Sequence, residues 1–247
     1  ELGLLVSPPG FRNPALYAKM AATLDQITGG RVVVGLGAGW YAQEFEGYGY
    51  DFPPVRERLE ELVDTVTIMK RMWTEEAPTF HGRRHRIDGV HCEPRPVRRP
   101  PILIGGGGEK VLLRIAAEHA DVWNNLAVHQ GRLAHKIDVL KEHCRDVGRD
   151  FDSIVVSQQT VVVLGEDEAD GREKMEKAKK IYGGHLGDIE AHGIWGSPEQ
   201  VIDRIRRFVA LGCRLFVIEF FGRDVTEPAR LFAERVMPAF PSGSAAR

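Results

Sequence analysis

Hydrophobic positions along this chain switch between two periods. Short β-rich apolar runs at Leu2–Ser7, Arg31–Gly37, Ile102–Ile104, Asp121–Asn125, Ile154–Leu164 and Leu215–Phe220 read as strands. Arg31–Gly37 is nearly unbroken in its apolar character, as a strand buried on both faces must be. Between these runs lie helical stretches. Asn13 caps the first, with Pro14 at its first position, and it runs to Ile27 before Thr28-Gly29-Gly30 stops it. A long amphipathic helix spans Val55–Trp73, with Leu59, Leu62, Val63, Val66, Met69 and Met72 on one face. Further helices are expected at Glu109–His119, Arg132–Val147, Glu168–Ile181, Ser197–Leu211 and Glu227–Val236. Thr79–Arg86 and Ile87–Cys92 read as a small hairpin, Ala38–Pro54 as a glycine- and aromatic-rich loop, and Gly183–Gly193 as a mobile loop.

Strands that alternate with helices specify a parallel α/β sheet. The pattern fits an open doubly wound sheet or a barrel, and six strands do not close the standard eight-stranded barrel. No internal repeat or interior linker divides the chain, so one domain over residues 1–240 is expected, with a disordered tail at 241–247.

Charge changes this picture little. Thirty-three basic and 35 acidic residues leave a net charge of −2, and no basic stripe with interleaved aromatics marks a nucleic-acid partner. No run approaches the roughly 18 apolar residues that span a bilayer, so no membrane partner is expected. The chain starts with Glu1, not Met, which leaves room for an upstream segment. Cys92, Cys144 and Cys213 are odd in number and far apart, which favours a reducing cytoplasm over a disulfide framework.

Two glycine clusters follow strands directly. Gly35-Leu-Gly37-Ala-Gly39-Trp40 places its third glycine one residue early for a dinucleotide fingerprint and runs into a loop. Two readings remain: a tight turn that needs glycine, or small residues on which a flat ring lies with Trp40 beside it. Gly105-Gly106-Gly107-Gly108-Glu109-Lys110 sits between a strand and a helix, but Val111 breaks the nucleoside-triphosphatase spacing. Bare amides at such a turn bind phosphate; the bland alternative is again a structural turn. His81, His85, His91 and Cys92 match no standard zinc spacing and read as surface hairpin positions, so no metal is expected. His185 and His192 read as solvated loop residues, with a substrate lid as the sharper alternative. No hydrolase signature is present.

Taken together, several segments resemble the luciferase-like monooxygenase superfamily, and within it the branch that uses the deazaflavin coenzyme F420. They are Asn13-Pro-Ala-Leu-Tyr-Ala-Lys-Met20, Thr23–Arg31, Gly35–Trp40, Arg56–Glu61, Leu62–Trp73, Phe80–Gly82, Pro101–Gly105 onward, Ala120–Asn124 and Gly196–Gln200. The resemblance implies a parallel (β/α)8 TIM-type barrel with a cofactor at the C-terminal strand ends. It places a bulge with a non-prolyl cis peptide at Leu5–Val6, behind the ring. Ala38, Gly39, Trp40 and Gln43 match the segment that contacts ring and tail, and Gly105, Gly106, Gly107 and Gly108 match the phosphate-binding turn. The reaction implied is hydride transfer between coenzyme F420 and a small organic substrate, with FMN-dependent monooxygenation or a non-catalytic flavin-binding barrel as alternatives. A homodimer is implied as well. Aligned in this way, Leu2–Ser7 is the third barrel strand, and this chain lacks the first two. The family's catalytic histidine or its equivalent belongs to that part, so no catalytic residue is assigned. Sugar-phosphate dehydrogenases of this branch carry an acidic residue where Trp40 stands, so that substrate is not implied.

Overall fold

The structure, a computed structural model, describes residues 1–240; the expected disordered tail at 241–247 lies outside the described residues. The fold is α/β, and its chain divides into two compact units. Unit 1 comprises Glu1–Asn124 and Val139–Ile154; unit 2 comprises Asn125–Asp138 and the described residues from Val155 onward.

Unit 1 is built on parallel strands. β1 (Leu2–Gly3) pairs with β2 (Val32–Leu36), with Leu2 beside Val32 and Gly3 beside Val33. After the antiparallel hairpin β3 (Phe80–His81) and β4 (Arg86–Ile87), β5 (Ile102–Gly105) pairs with β2, and β6 (Val122–Asn125) pairs with β5. The strands are covered by α1 (Pro14–Thr28), α3 (Val55–Thr74) and α4 (Leu112–His119), while α2 (Ala42–Gly47) is a short helix after β2. Helix α1 forms where its ends demand it. Asn13 Oδ1 accepts from the amides of Ala15 and Leu16 at 3.0 and 3.2 Å, and Gly29 closes the helix at φ 65°. Leu62, Val66, Met69, Ile102, Ile104 and Leu113 form its buried core. Trp73 joins the helices by donating its Nε1–H to Ala18 O at 3.0 Å. Two buried carboxylates act as backbone anchors. Asp25 accepts from Val32 N and Arg98 N, and Asp64 accepts from Arg84 N at 2.6 Å and His85 N at 2.9 Å, fastening the hairpin to α3.

Helix α5 (Leu133–Asp146) crosses the division between the units. In unit 2, β7 (Val155–Leu164) pairs in parallel with β8 (Ile194–Gly196) and with β9 (Cys213–Phe220). Val161, Val163, Met175, Ala178, Leu186, Ile189 and Trp195 are its buried cluster. Around it lie α6 (Glu168–Tyr182), α7 (Ile189–His192), α8 (Pro198–Ala210) and α9 (Thr226–Arg235). Helix α8 begins with a reciprocal capping box between Ser197 and Gln200.

Several expectations need correction. The strand expected over Leu2–Ser7 pairs regularly only at Leu2–Gly3, then leaves the ladder and rejoins it at Ser7 opposite Leu36. From Gly3 to Ser7 the chain advances four residues while its neighbour advances three, from Val33 to Leu36, which is the count of a β-bulge. The expected loop Ala38–Pro54 contains α2, and the expected loop Gly183–Gly193 contains a 3₁₀ turn at Gly183–Leu186 and α7. Strand β8 was not foreseen, being three residues long. Helix α4 starts at Leu112, three residues later than expected. All three cysteines are free and buried. Among the described residues, no helix is long and apolar enough to cross a membrane, and no group of three or more His, Cys, Asp or Glu is arranged to hold a metal.

Candidate functional site

All the residues expected to contact a cofactor lie in unit 1, at the C-terminal ends of its parallel strands or in the loops that follow. Parallel α/β sheets bind ligands at that edge because the strands stop there and the connecting loops diverge.

The bulge is the centre of the arrangement. The Leu5–Val6 peptide is cis. Ser7 then locks the chain back onto β2: its N–H donates to Gly35 O at 3.0 Å, and its carbonyl accepts from Gly37 N at 3.3 Å. The bulge brings Leu4 and Val6 against glycines from two other strands. A methyl group on Gly35 would collide with Leu4 O and lie 3.3 Å from Val6 Cγ1. On Gly37 it would lie 2.7 Å from Val6 Cγ2 and 3.2 Å from Gly105 O. On Gly105 it would lie 3.1 Å from Val6 Cγ1. These three glycines therefore have a cause inside the protein: Gly37 and Gly105 make room for Val6, and Gly35 makes room first for the Leu4 carbonyl and then for Val6. Leu5 is 40% exposed and Val6 half-buried, so the bulge keeps an accessible apolar surface.

The segment Ala38–Trp40 leaves β2 through Gly39 at φ 76°, a conformation that favours glycine. The space beside Gly39 is filled by the Phe45 ring, 2.9 Å from an added methyl, and by Pro8 at 3.3 Å. That space, read from the sequence as room for a flat ring, belongs to Phe45. Trp40 is 77% exposed, with its ring 5.3 Å from that of Tyr41. It does not pack inward, and Phe45 takes the buried place instead. Gln43 lies exposed in the first turn of α2.

The four glycines after β5 differ among themselves. Gly105 is buried against Val6. Gly106 has φ 133°, donates its N–H to Asn124 O at 3.1 Å and accepts from Trp123 Nε1 at 2.9 Å. Its amide is committed to the fold, not left bare for an anion. Gly107 is half-buried and Gly108 exposed; a methyl on Gly108 would meet only Leu112 Cβ at 3.5 Å, an ordinary contact. A turn at Glu109–Val111 separates the cluster from α4, and Leu113 N already donates to Gly108 O at 3.0 Å. An approaching phosphate would therefore meet the turn at its exposed Gly108 end.

Sequence reasoning missed two features here. Arg58, 9% exposed, reaches from α3 into the loop after β2. Ser7 is buried beside Arg12, whose Nη1 donates to Ser7 Oγ at 3.2 Å, and the Arg12 guanidinium lies 5.5 Å from the Tyr17 ring centre. Burial pushes the Tyr17 phenol pKa up, outweighing its hydrogen bond with Ser7 and the nearby Arg12, so Tyr17 keeps its proton. A buried arginine has no sequence signature, because its partners are carbonyls. A cavity of about 850 Å³ opens elsewhere in unit 1, between α3, α4 and the hairpin, and none of the expected site residues lines it.

This fold recurs in known proteins. The luciferase-like monooxygenase family matches residues 1–185, and the chain belongs to that family. Its relatives divide by cofactor. The FMNH(2)-dependent dimethylsulfone monooxygenase of Pseudomonas putida is 24% identical over 260 residues, covering 88% of this chain and 71% of the relative. The F420-dependent glucose-6-phosphate dehydrogenase of Microbacterium testaceum (strain StLB037) is 26% identical over 261 residues, covering 96% of this chain and 77% of the relative. Among solved structures, an F420-dependent secondary alcohol dehydrogenase in complex with an F420–acetone adduct superposes with a TM-score of 0.83 at 24% identity, over 96% of this chain and 78% of that one.

Proposed function

We propose that this protein is an oxidoreductase that binds coenzyme F420 at the C-terminal strand ends of unit 1 and transfers a hydride between it and a small organic substrate. The observation that carries this reading is the packing of Val6 against Gly35, Gly37 and Gly105, which gathers three segments distant in sequence at one strand edge. The residues present fit the group. Leu5 and Val6 offer an accessible apolar surface for one face of the ring. Ala38, Gly39, Trp40 and Gln43 would border ring and tail, and Gly105–Gly108 would hold the phosphate chiefly at its exposed Gly108 end. When bound, the deazaflavin supplies the hydride chemistry, having carbon where a flavin has its reactive ring nitrogen. The chain's own work is to orient the ring, shield one face from water and present backbone to the phosphate. With this reading go a single-domain (β/α)8 barrel in which β1 is the third strand, a homodimer and a cytoplasmic location. No catalytic residue is assigned.

FMN is the second reading, favoured by the Pseudomonas putida relative, whose name specifies FMNH(2). Titrating the protein with F420 and with FMN while following cofactor fluorescence separates the two. Saturable binding of F420 with weak or absent FMN binding is the expected result, and the reverse preference would move the protein to the monooxygenase branch. Binding without turnover of any alcohol, aldehyde or alkene in a substrate panel would favour a non-catalytic flavin-binding barrel.

A further inference from the structure

Arg58 occupies an unusual position for an arginine: in the first turn of α3, buried, and bonded to the backbone of both ends of one loop. Its Nε–H donates to Ala38 O at 3.1 Å, at the start of the segment between β2 and α3. Its Nη1 donates to Pro53 O at 2.5 Å, at the end of that segment. The guanidinium carbon lies 3.8 Å from the centre of the Phe52 ring. Phe52 meets Phe45 edge-on, with ring centres 5.0 Å apart, and Phe45 fills the space beside Gly39. One side chain thus joins Ala38, Pro53 and, through two aromatic rings, Gly39.

From this we infer that Arg58 is a positioning residue: it acts through Ala38 O and the Phe52–Phe45 pair to hold Ala38–Trp40 at the end of β2 in the geometry the cofactor needs. The inference rests on the proposed cofactor site. The planar guanidinium is suited to the task, because it donates along its edge to two carbonyls while its face stacks on a ring. A lysine ammonium reaches one carbonyl and cannot stack in this way.

Arg58→Ala and Arg58→Lys are compared with Arg71→Ala, a control on the same helix that removes a two-bond pair with Glu75 and a bond to Thr79 O. Hydrogen exchange is read first in cofactor-free protein, at the loop amides of Tyr48 and Tyr50, which are bonded to Glu44 O and Phe45 O. Affinity for F420 and FMN and the melting temperature follow. Both Arg58 variants should accelerate exchange at these amides at least tenfold and weaken cofactor binding at least tenfold, with lysine giving no rescue; Arg71→Ala should do neither. If Arg58→Ala does not fold, Arg58→Lys carries the comparison. Unchanged loop exchange overturns the inference. So does faster exchange with unchanged affinity, which would leave Arg58 a purely structural clamp. Wild-type protein that binds neither F420 nor FMN overturns the proposed function, and with it the claim that the loop is held for a cofactor; the exchange data then report only on the clamp.

Discussion

Replacing Gly37 by alanine tests the packing at the strand edge most directly. Gly37 is buried and lacks a positive φ, so the backbone accepts alanine and only the new methyl matters. That methyl would lie 2.7 Å from Val6 Cγ2, where carbon atoms ordinarily rest about 3.5–4.0 Å apart. The overlap is close to 1 Å, and an overpacked site of this kind costs about 1–3 kcal/mol. For a chain of this size each kcal/mol lowers Tm by roughly 2–4 °C, so a fall of about 2–12 °C is expected. Val6 is half-buried and can yield only towards the open side, into the surface assigned to the ring. Cofactor affinity should therefore fall at least tenfold. Val6→Ala removes both γ carbons, so the double variant should regain most of the lost Tm in a thermal melt, giving a coupling of at least 0.5 kcal/mol in the double-mutant cycle. Additive losses would show that Val6 is not what Gly37 makes room for, and the account of the bulge would be wrong.

Further outcomes follow from other contacts. Trp40→Ala should leave Tm within about 1 °C, because the ring is 77% exposed, yet weaken F420 binding roughly 2- to 12-fold, matching about 0.5–1.5 kcal/mol of stacking; affinity unchanged from wild type for both F420 and FMN would remove Trp40 from the site. Gly108→Val should weaken binding with little loss of Tm, whereas Gly106→Val should lower Tm markedly, because Gly106 sits at φ 133° with Leu112 Cδ2 3.0 Å from an added methyl. Equal thermal losses in the two variants would contradict the distinction between them. Burial pushes the Asp121 carboxyl pKa up, but the Arg99 guanidinium, the Ile102 N–H and Lys70 outweigh it and hold it below the ordinary aspartate value. Because the folded-state pKa is depressed, this contribution is complete above the unfolded value near pH ~4 and is lost as pH falls through the folded value. Arg99→Ala should therefore flatten the acid limb of a stability–pH profile below about pH 4; an unchanged limb would refute it.

Features governed by local chemistry were readable from sequence. Asn13 with Pro14, Gly29 after α1, and Ser197 with Pro198 before α8 are cap signals that act within a few residues, and each marks a helix boundary observed in the structure. The strand of β7 was equally plain, with Val155–Val156 and Val161–Leu164 flanking the polar stretch Ser157–Thr160. What escaped depends on partners far along the chain. Gly35 and Gly37 read as a turn or a ring platform, because nothing near them reveals that Val6 will lie on top. Arg58 lies inside the Arg56–Glu61 block that carries the family resemblance, but nothing local shows its role, since its burial depends on Ala38 and Pro53. The four-glycine run looked uniform, yet Trp123 and Asn124 claim the polar groups of Gly106 and leave Gly108 open. Strand β8 is too short for any periodicity to appear.

The hairpin hung from Asp64 has a practical use. It links the end of α3 to the start of β5, whereas the proposed site follows the strands' opposite ends. Its residue Gly89 is exposed, sits at φ 56°, and has no heavy atom within 4 Å of where a side chain would begin. Asp64 holds the hairpin by the amides of Arg84 and His85, both well before Gly89 in the chain. A short glycine-flanked tag inserted directly after Gly89, with Gly89 itself kept because its φ favours glycine, therefore offers a handle for immobilising or labelling the protein without touching the residues on which its chemistry is proposed to depend.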